Sequence, residues 1–196
     1  MSGIKQNTSG PETRAHEYRL KKTVVLVGMM GAGKTAVGRA LAARLNVPFL
    51  DSDQEIEAAA ARTIQEIFER DGERFFRDRE SQIITRLLTE QSGILSTGGG
   101  AFLAAQNRKE ISDRGVSVWL NASLDLLWTR VRHKDTRPLL RTPDPLAKLT
   151  EIYETRVPIY RLADLNVRAD KRYSIEDMVD RVIAVLASRP DVLERK

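Results

Sequence analysis

A buried strand followed by a glycine-rich loop and a helix is the feature that most constrains the fold of this chain. Residues 23–27 read Thr-Val-Val-Leu-Val, a run typical of a strand buried on both faces of a parallel sheet. Residues 28–35 read Gly-Met-Met-Gly-Ala-Gly-Lys-Thr and match the pattern G-x-x-x-x-G-K-[ST]. Val37, Leu41 and Leu45 then recur at a spacing of four residues, which predicts a helix. This order predicts a βα unit.

The glycine-rich loop predicts binding of nucleotide phosphates. Glycines let successive backbone N–H groups converge on phosphate oxygens at a helix N-terminus. Lys34 can reach the β- and γ-phosphates, and the Thr35 hydroxyl can hold Mg²⁺. A merely glycine-rich turn is the alternative, but a turn requires neither the lysine nor the hydroxyl. The predicted nucleotide-binding residues of the loop are Gly28, Gly31, Ala32, Gly33, Lys34, Thr35 and Ala36.

Strand and helix patterns alternate along the rest of the chain and predict an α/β sandwich with a parallel sheet. Further strands are predicted at 48–50, 94–97, 116–120 and 164–167, and helices at 72–91, 107–114, 124–131 and 145–160. The polar, proline-containing residues 132–144 predict a surface loop or lid. We expect one domain over residues 22–188, a flexible arm at 1–21 and a C-terminal tail at 189–196.

Composition excludes several kinds of chemistry. The 196 residues include no cysteine, which excludes disulfides, thiolate metal sites and a cysteine nucleophile. The two histidines, His16 and His133, lack metal-ligand spacing. A membrane span needs about 18 consecutive apolar residues, and every apolar run in the sequence is much shorter. Residues 1–22 do not resemble a secretory signal. We therefore expect a cytoplasmic protein without a membrane partner.

Two carboxylates follow the predicted strand at 48–50. Asp51 and Asp53 leave it on the same side, at the carboxyl end where open α/β sheets bind ligands. One acid near Mg²⁺ and one accepting a substrate hydroxyl would suit phosphoryl transfer to an alcohol. A helix N-cap pair is the alternative. Ser52 and Glu55 also form a capping-box pattern, which predicts a helix that starts there.

Three consecutive glycines and an arginine extend the candidate site. Gly98, Gly99 and Gly100 follow a predicted buried strand and give up side-chain packing, which suits close approach of a ligand to the backbone. A loose turn is the alternative. Arg77 lies on a helix with many charges, so a solvated ion-pair face is as good an interpretation as a binding role.

Two further arginines stand beside prolines. Arg137 precedes Pro138 in the predicted lid and is suited to swing over phosphates and stabilise transition-state charge. A solvated loop arginine is the alternative. Arg156 can present a planar fork to a carboxylate, although a charge near a helix end is an equally fair interpretation.

Taken together, these motifs closely resemble the bacterial shikimate kinases in order and spacing. The resemblance spans about residues 22–188, and the motifs outside the phosphate loop make it specific. The motifs are Gly28-Met-Met-Gly-Ala-Gly-Lys-Thr35, Asp51-Ser-Asp-Gln-Glu-Ile-Glu57, Phe76-Arg-Asp-Arg-Glu80, Thr97-Gly-Gly-Gly100, Arg137-Pro-Leu-Leu140 and Arg156-Val-Pro-Ile-Tyr160.

The resemblance implies a fold and a reaction. It implies a P-loop kinase fold of the nucleoside-monophosphate-kinase-like group, with a lid and a five-stranded parallel sheet ordered 2-3-1-4-5. It also implies ATP-dependent phosphorylation of the 3-hydroxyl of shikimate, on the pathway to chorismate and the aromatic amino acids. ATP is then the co-substrate, Mg²⁺ the metal and a monomer the expected state.

By position, the resemblance also implies roles for the substrate-binding residues. Asp53 would bind the substrate hydroxyls and serve as the candidate base. Arg77 and Arg156 would hold the carboxylate. Gly99 and its neighbours Gly98 and Gly100 would contact the ring through the backbone. Shikimate carries one carboxylate and several hydroxyls, so paired arginines, a carboxylate acceptor and close backbone suit it chemically.

On the nucleotide side, the resemblance implies that Lys34 and Arg137 neutralise the phosphates. Thr35 would ligate Mg²⁺ directly, and Asp51 would do so through water. Arg130 would pack against adenine. The predicted catalytic residues are accordingly Lys34, Asp53 and Arg137.

Two other functions remain open from the sequence. Gluconate or another small hydroxylated acid could be the acceptor on the same scaffold. The net charge of +5 and the basic N-terminal arm also suit a P-loop protein that binds nucleotide but works as a regulatory or nucleic-acid-binding module. Such a module would not need Asp53, Arg77 and Arg156 together, so we expect no nucleic-acid partner.

Overall fold

A parallel sheet organises the chain. The computed structural model describes residues 17–133 and 138–196. Its strands are β1 (Tyr18–Leu20), β2 (Thr23–Val27), β3 (Phe49–Asp51), β4 (Ile94–Ser96), β5 (Gly115–Asn121), β6 (Leu165–Arg168) and β7 (Leu193–Arg195). Strands β2 to β6 form one sheet in the order β3-β4-β2-β5-β6, with every neighbouring pair parallel. When these five strands are numbered by themselves, the order is 2-3-1-4-5, which confirms the predicted α/β class and strand order.

Helices connect the strands. The first, α1, packs against β4 and α7, while α4 packs against β5 and α3. Among the helices of the described residues, none combines the length and the apolar character that crossing a bilayer requires. The helices are α1 (Lys34–Leu45), α2 (Ser52–Ala60), α3 (Ile64–Glu90), α4 (Ala105–Arg114), α5 (Leu124–Val131), α6 (Pro145–Tyr160) and α7 (Ile175–Leu186), with 3₁₀ turns at Ala101–Leu103 and Pro138–Leu140.

The central strand β2 has all five residues buried, as its continuous apolar run predicted. It lies between β4 and β5, and its register pairs Leu26 with Ser96 on one side and with Val118 on the other. Burial on both faces explains the absence of polar alternation. The glycine-rich loop therefore follows directly from the carboxyl end of a buried strand in the middle of the sheet.

Helix α3 joins two segments that the sequence indicated separately, a capping-box pattern at Thr63 and Glu66 and a charged helix from Gly72. It starts at Ile64, where Thr63 and Glu66 form a capping box: the Thr63 hydroxyl accepts from the Glu66 N–H and the Glu66 carboxylate accepts from the Thr63 N–H. The predicted start, Gly72, instead marks a kink inside the helix, with φ 81° and ψ 170°. Glycine adopts this left-handed φ without the steric cost of a side chain.

Helix α2 is capped by a different residue from the one predicted. Asp51, not Ser52, is the N-cap, and its Oδ1 accepts from the N–H groups of Asp53 at 3.0 Å and Gln54 at 3.2 Å. The predicted capping box at Ser52 was wrong because the strand geometry ends at Asp51 and Ser52 is already helical. Asp51 is therefore an N-cap, as one of the two interpretations of the sequence predicted. Its hydrogen bond to the Asp53 N–H fixes the backbone position of Asp53.

Both chain ends differ from the predicted arm and tail. Strand β1 pairs antiparallel with β7, so Tyr18 faces Arg195 and Leu20 faces Leu193. Val192 and Leu193 are buried against the core, which gives the pairing an apolar anchor. Strand β1 lies within the predicted arm at 1–21 and β7 within the predicted tail at 189–196. Neither short strand was recognised from the sequence pattern. Residues 1–16 lie outside the described residues.

We expect the terminal sheet to contribute measurably to stability. Leu193→Ala should lower the free energy of unfolding by about 2–3 kcal/mol, because it removes a side chain that is 2% exposed. Glu194→Ala on the same strand should change it by less than about 0.5 kcal/mol, since its ion pair with Lys21 is exposed. Urea unfolding of both variants measures the difference. Equal effects would show that Leu193 is not a core residue.

Candidate active site

A cleft of about 540 Å³ opens where β2, β3 and β4 end. Carboxyl ends of parallel strands are the usual ligand-binding edge of open α/β sheets. The glycine-rich loop, both aspartates of the Asp-Ser-Asp segment and residues 96–99 line it. Arg130 and residues 173–175 line it as well. The fold therefore brings together segments that are far apart in the sequence.

The loop after β2 has a backbone that glycine makes possible. Gly28, Gly31 and Gly33 have φ values of 142°, 82° and 95°. Two of them also have no room for a side chain. A Cβ atom at Gly28 would lie 2.9 Å from the Leu120 carbonyl oxygen, and one at Gly31 would lie 2.7 Å from Val131 Cγ1. Close packing under the loop thus keeps its backbone in one shape.

Lys34 begins helix α1 and turns its ammonium group back into this loop. Its Nζ donates to the carbonyl oxygens of Gly28 at 2.8 Å and Met29 at 3.0 Å. Thr35 follows it and also lines the cleft. A positive charge and the N–H groups of a helix N-terminus therefore meet at one place. This combination binds phosphate groups.

Arg130 approaches the same loop from α5. Its Nη1 donates to the carbonyl oxygens of Gly31 at 3.0 Å and Ala32 at 3.2 Å. Burial lowers the pKa of the Arg130 guanidinium. The ordinary pKa of arginine is so far above neutral pH that the group stays charged nevertheless. Arg130 thus braces the phosphate loop and also contributes a planar group to the cleft wall.

Asp51 and Asp53 both reach the cleft, as their spacing predicted. Burial raises the pKa of Asp53 above its usual range, and the negative charge of Asp51 adds to this effect. Lys34 and Arg77 act in the opposite direction. A half-buried carboxylate with a raised pKa is a better proton acceptor than an exposed one, because its charged form is poorly solvated.

Three charged side chains crowd against the consecutive glycines. A Cβ atom at Gly98 would lie 2.9 Å from Asp53 Oδ1, and one at Gly99 would lie 3.2 Å from Arg156 Nη1. At Gly100 it would lie 2.5 Å from Arg77 Nη2. A side chain at Gly98 or Gly100 would displace one of these groups, and one at Gly99 would crowd Arg156. This close contact favours a site in which a ligand approaches the backbone over a loose turn.

Arg77 is held by a carboxylate that sequence reasoning gave no role. Its Nη1 donates to Glu80 Oε2 at 2.8 Å, and the Glu80 side chain is 1% exposed. Burial raises the pKa of Glu80, while Arg77 lowers it. The second oxygen, Oε1, is buried and has no hydrogen-bond partner among residues 17–133 and 138–196. In the sequence, the only indication of this ion pair was the i, i+3 spacing of Arg77 and Glu80 on a predicted helix.

Tyr160 anchors the same glycine segment from α6. The ring is fully buried, and its hydroxyl donates to the Gly99 carbonyl oxygen at 2.5 Å. Burial raises the pKa of Tyr160, which keeps the phenol protonated and able to donate. Arg156 lies one helical turn earlier and contacts the same hydroxyl. The motif that contains both residues was noticed in the sequence, but the role of its tyrosine was not predicted.

One wall of the cleft was missed from the sequence. Tyr173, Ser174, Ile175 and Met178 line it at the start of α7. The Arg181 guanidinium lies 3.7 Å from the centroid of the Tyr173 ring, which steadies that ring by a cation–π contact. The family resemblance places residues 171–173 on the adenine side, but the sequence supported no assignment of a contact there.

Part of the predicted lid can be compared with the structure. Residues 134–137, and with them Arg137, lie outside the described residues. Pro138–Leu140 forms a 3₁₀ turn in which Leu140 is buried and Leu139 is half exposed. The phosphate-contacting role of Arg137 stays a prediction.

The part of the chain that is described contains no group of three or more histidine or acidic side chains placed to hold a metal. Mg²⁺ does not require one, because it is commonly bound by one or two protein oxygens together with phosphates and water. Asp51 and Thr35 supply such oxygens on the cleft surface. The donor set therefore fits a magnesium ion that arrives with a nucleotide.

Comparison with known proteins identifies relatives over nearly the whole chain. A family model described as shikimate kinase matches residues 30–187. The shikimate kinase of Ruegeria pomeroyi is 71% identical over 99% of both chains. That of Cereibacter sphaeroides is 64% identical over 90% of this chain and 88% of the relative.

Solved structures agree. A shikimate kinase from Acinetobacter baumannii in complex with shikimate has a TM-score of 0.80 and 36% identity, covering 91% of this chain and 98% of that one. A shikimate kinase from Aquifex aeolicus has a TM-score of 0.75 and 30% identity, covering 85% and 96%. A gluconokinase from Sinorhizobium meliloti, with a TM-score of 0.55 and 19% identity over 87% and 94%, shares the fold alone.

The raised pKa of Asp53 has a consequence for stability. A carboxyl with a higher pKa in the folded than in the unfolded chain destabilises the fold above its unfolded pKa. Asp53→Asn should therefore raise the melting temperature at pH 7.5, by about 2–4 °C if about 1 kcal/mol is regained. The gain should shrink as the pH falls toward about 4, where the unfolded carboxyl also takes up a proton. Calorimetry across this range measures it, and a lower melting temperature at pH 7.5 would contradict the assignment.

Proposed function

Because the chain belongs to the shikimate kinase family, we propose that its cleft transfers the γ-phosphoryl group of ATP to the 3-hydroxyl of shikimate. The chain is an ATP-dependent kinase that phosphorylates shikimate. The remaining proposal concerns which residues bind each part of the two substrates and which of them carries the proton. The observation that best supports these assignments is the arrangement of charged groups around the glycines at 98–100.

That arrangement matches the acceptor group by group. Asp53, Arg156 and Arg77 stand in turn against three successive glycines, next to the phosphate loop. One carboxylate beside two guanidinium groups offers an acceptor for hydroxyls and a double fork for a carboxylate. Shikimate carries both kinds of group on one ring. The backbone of the glycines can lie against that ring because no side chain intervenes.

Asp53 is the proposed proton acceptor. The oxygen of the 3-hydroxyl forms a bond to the γ-phosphorus, the bond from phosphorus to the β–γ bridging oxygen breaks, and ADP leaves. The hydroxyl proton passes to the Asp53 carboxylate, whose raised pKa favours taking it up. Because phosphoryl transfer depends mainly on positioning, holding the hydroxyl in line matters as much as accepting its proton.

Lys34 and the loop amides are proposed to hold the phosphates. The ammonium group lies within the loop, where it can neutralise charge on the β- and γ-phosphates. Arg130 fixes the loop through two carbonyl oxygens. Arg137 of the lid is proposed to add a further positive charge over the transferring group, as its position in the lid motif predicts.

Thr35 and Asp51 are the proposed protein groups for Mg²⁺, the hydroxyl directly and the carboxylate through water. When bound, the ion neutralises phosphate charge and orients the β- and γ-phosphates. Oδ1 of Asp51 already accepts from the N–H groups of Asp53 and Gln54, so the carboxylate has a fixed orientation. This N-cap makes the two aspartates one unit that serves metal and acceptor at the same time.

The adenine is proposed to lie between Arg130 and the wall formed by Tyr173 and its neighbours. Both side chains line the cleft beside the phosphate loop. A guanidinium plane and an aromatic ring suit the faces of a purine. The family resemblance implied adenine packing for Arg130 alone, and this proposal adds the ring of Tyr173. The Arg181 guanidinium contacts that ring and supports it.

We further propose that the enzyme works as a monomer in the cytoplasm, without a nucleic-acid or membrane partner. The described groups that would bind shikimate, the phosphates and adenine all come from one chain. Positive charge in the cleft is accounted for by the charge of its substrates. A role in nucleic-acid binding would require basic residues arranged for a larger anion.

The reaction is tested by ADP production from purified protein with Mg-ATP and a panel of acceptors. Shikimate should give a saturable rate, while gluconate and nucleoside monophosphates should give no rate above background. A ³¹P and ¹³C NMR assignment of the product should place the phosphate on the 3-oxygen. A gluconate rate equal to that with shikimate, or a product phosphorylated at another oxygen, would contradict the proposal.

Arg156→Lys tests the carboxylate fork. Replacing the planar guanidinium by a point charge should raise the KM for shikimate about tenfold and leave the KM for ATP within about twofold. Arg161→Lys, an exposed change just beyond the same helix, is the matched control and should change neither constant. Steady-state kinetics of both variants decide the matter. An unchanged KM for shikimate in Arg156→Lys would remove this residue from the carboxylate site.

A further inference from the structure

A second cleft, here called the α2–α3 cleft, lies between helices α2 and α3 and has a volume of about 440 Å³. It shares no lining residue with the active-site cleft. Its volume is in the range of small-molecule sites, about 300–1,000 Å³. The proposed catalysis uses none of its residues.

The floor of the α2–α3 cleft is apolar. Ile56, Ile67 and Ile83 are buried beneath it. The Phe75 ring also lines the cleft and is 37% exposed. An aromatic or aliphatic ring placed on this floor would be removed from water on one face and contact the Phe75 ring at its edge.

The rim of the cleft is strongly basic. Arg62, Arg70 and Arg79 line it against a single carboxylate, Asp71. Arg70 Nε lies 3.7 Å from Asp71 Oδ1, whereas Arg62 and Arg79 form no ion pair within 4 Å in the part of the chain that is described. Arg62 also acts electrostatically on the Glu66 carboxylate, which does not line the cleft. Among the residues that line the cleft, positive charges still outnumber negative ones, so the rim complements an anion.

Arg79 is already oriented toward the cleft. Its Nη1 donates to Gln82 Oε1 at 2.9 Å, and its guanidinium lies 4.9 Å from the centroid of the Phe75 ring. Phe75, Arg79 and Gln82 are spaced four and three residues apart, which places them on one face of α3. Arg77, two residues from Arg79, belongs to a different face and serves the active site.

We propose that the α2–α3 cleft binds a small aryl carboxylate, with the ring on the apolar floor and the carboxylate at the arginine rim. An apolar floor alone would accept any ring, and a basic rim alone would accept any anion. The combination within one cleft selects a ligand that has both.

The test is a ¹⁹F NMR titration of 3-(4-fluorophenyl)propanoate with the full chain, saturated with shikimate and Mg-ADP so that the active site is filled. We expect saturable line broadening with a Kd of about 1 mM, the strength typical of so small a ligand. The amide analogue of the probe, which lacks the charge, should bind at least about fivefold more weakly.

Variants separate this site from others. Arg79→Gln should weaken binding about fivefold, and Ala59→Phe, which fills the cleft, should abolish it. Arg74→Gln, a matched charge change on α3 outside the cleft, should leave the Kd within about twofold. Thermal melting verifies that each variant is folded. If only one of Arg79→Gln and Ala59→Phe melts normally, its comparison with Arg74→Gln is sufficient.

Several results would overturn the proposal. These are an absence of saturation at concentrations about tenfold above the expected Kd, or equal binding by Arg79→Gln and Arg74→Gln. Probe binding that occurs only when shikimate and Mg-ADP are left out would assign the binding to the substrate site instead. A concentration-dependent dimer that Ala59→Phe abolishes would assign the cleft to a second copy of the chain. Failure of the kinase assay is a separate readout, since shikimate and probe binding are measured independently.

Discussion

The site depends on close contact between charged side chains and a stretch of backbone that has none. Asp53, Arg156 and Arg77 approach glycines 98–100 so closely that a methyl group at Gly100 would overlap a guanidinium. Glycine loses more conformational entropy on folding than any other residue, so three in a row after a strand are costly. The cost is offset by a binding surface in which backbone and charges reach the same small ligand.

The charges themselves are kept in place by groups that do not bind substrate. Glu80 orients Arg77 from a buried position, and Tyr160 fixes the Gly99 carbonyl. Burial makes each of these contacts stronger than it would be in water, and it also makes each partner costly to remove. The raised pKa of Asp53 arises from the same desolvation. Reactivity and rigidity in this cleft therefore have one physical origin.

Sequence alone predicted the parts that depend on local pattern. The strand and loop at 23–35, the sheet order and the proximity of Asp53, Arg77 and Arg156 to the triple glycine all follow from motifs and the family resemblance. Contacts between distant segments were not predictable in this way. Tyr173 follows β6, at the edge of the sheet, and lines the cleft beside the phosphate loop, which no local pattern indicates. Glu80 appeared as one charge among many until the fold showed its burial.

The pairing of β1 with β7 joins the two ends of the described chain. During synthesis, β1 is made before every strand of the parallel sheet, and its partner β7 is made after all of them. The five strands of the parallel sheet can therefore assemble while the hydrogen-bonding edge of β1 is still unpaired. The pairing of β1 with β7 is thus a late step that adds a second, smaller sheet to a core already in place.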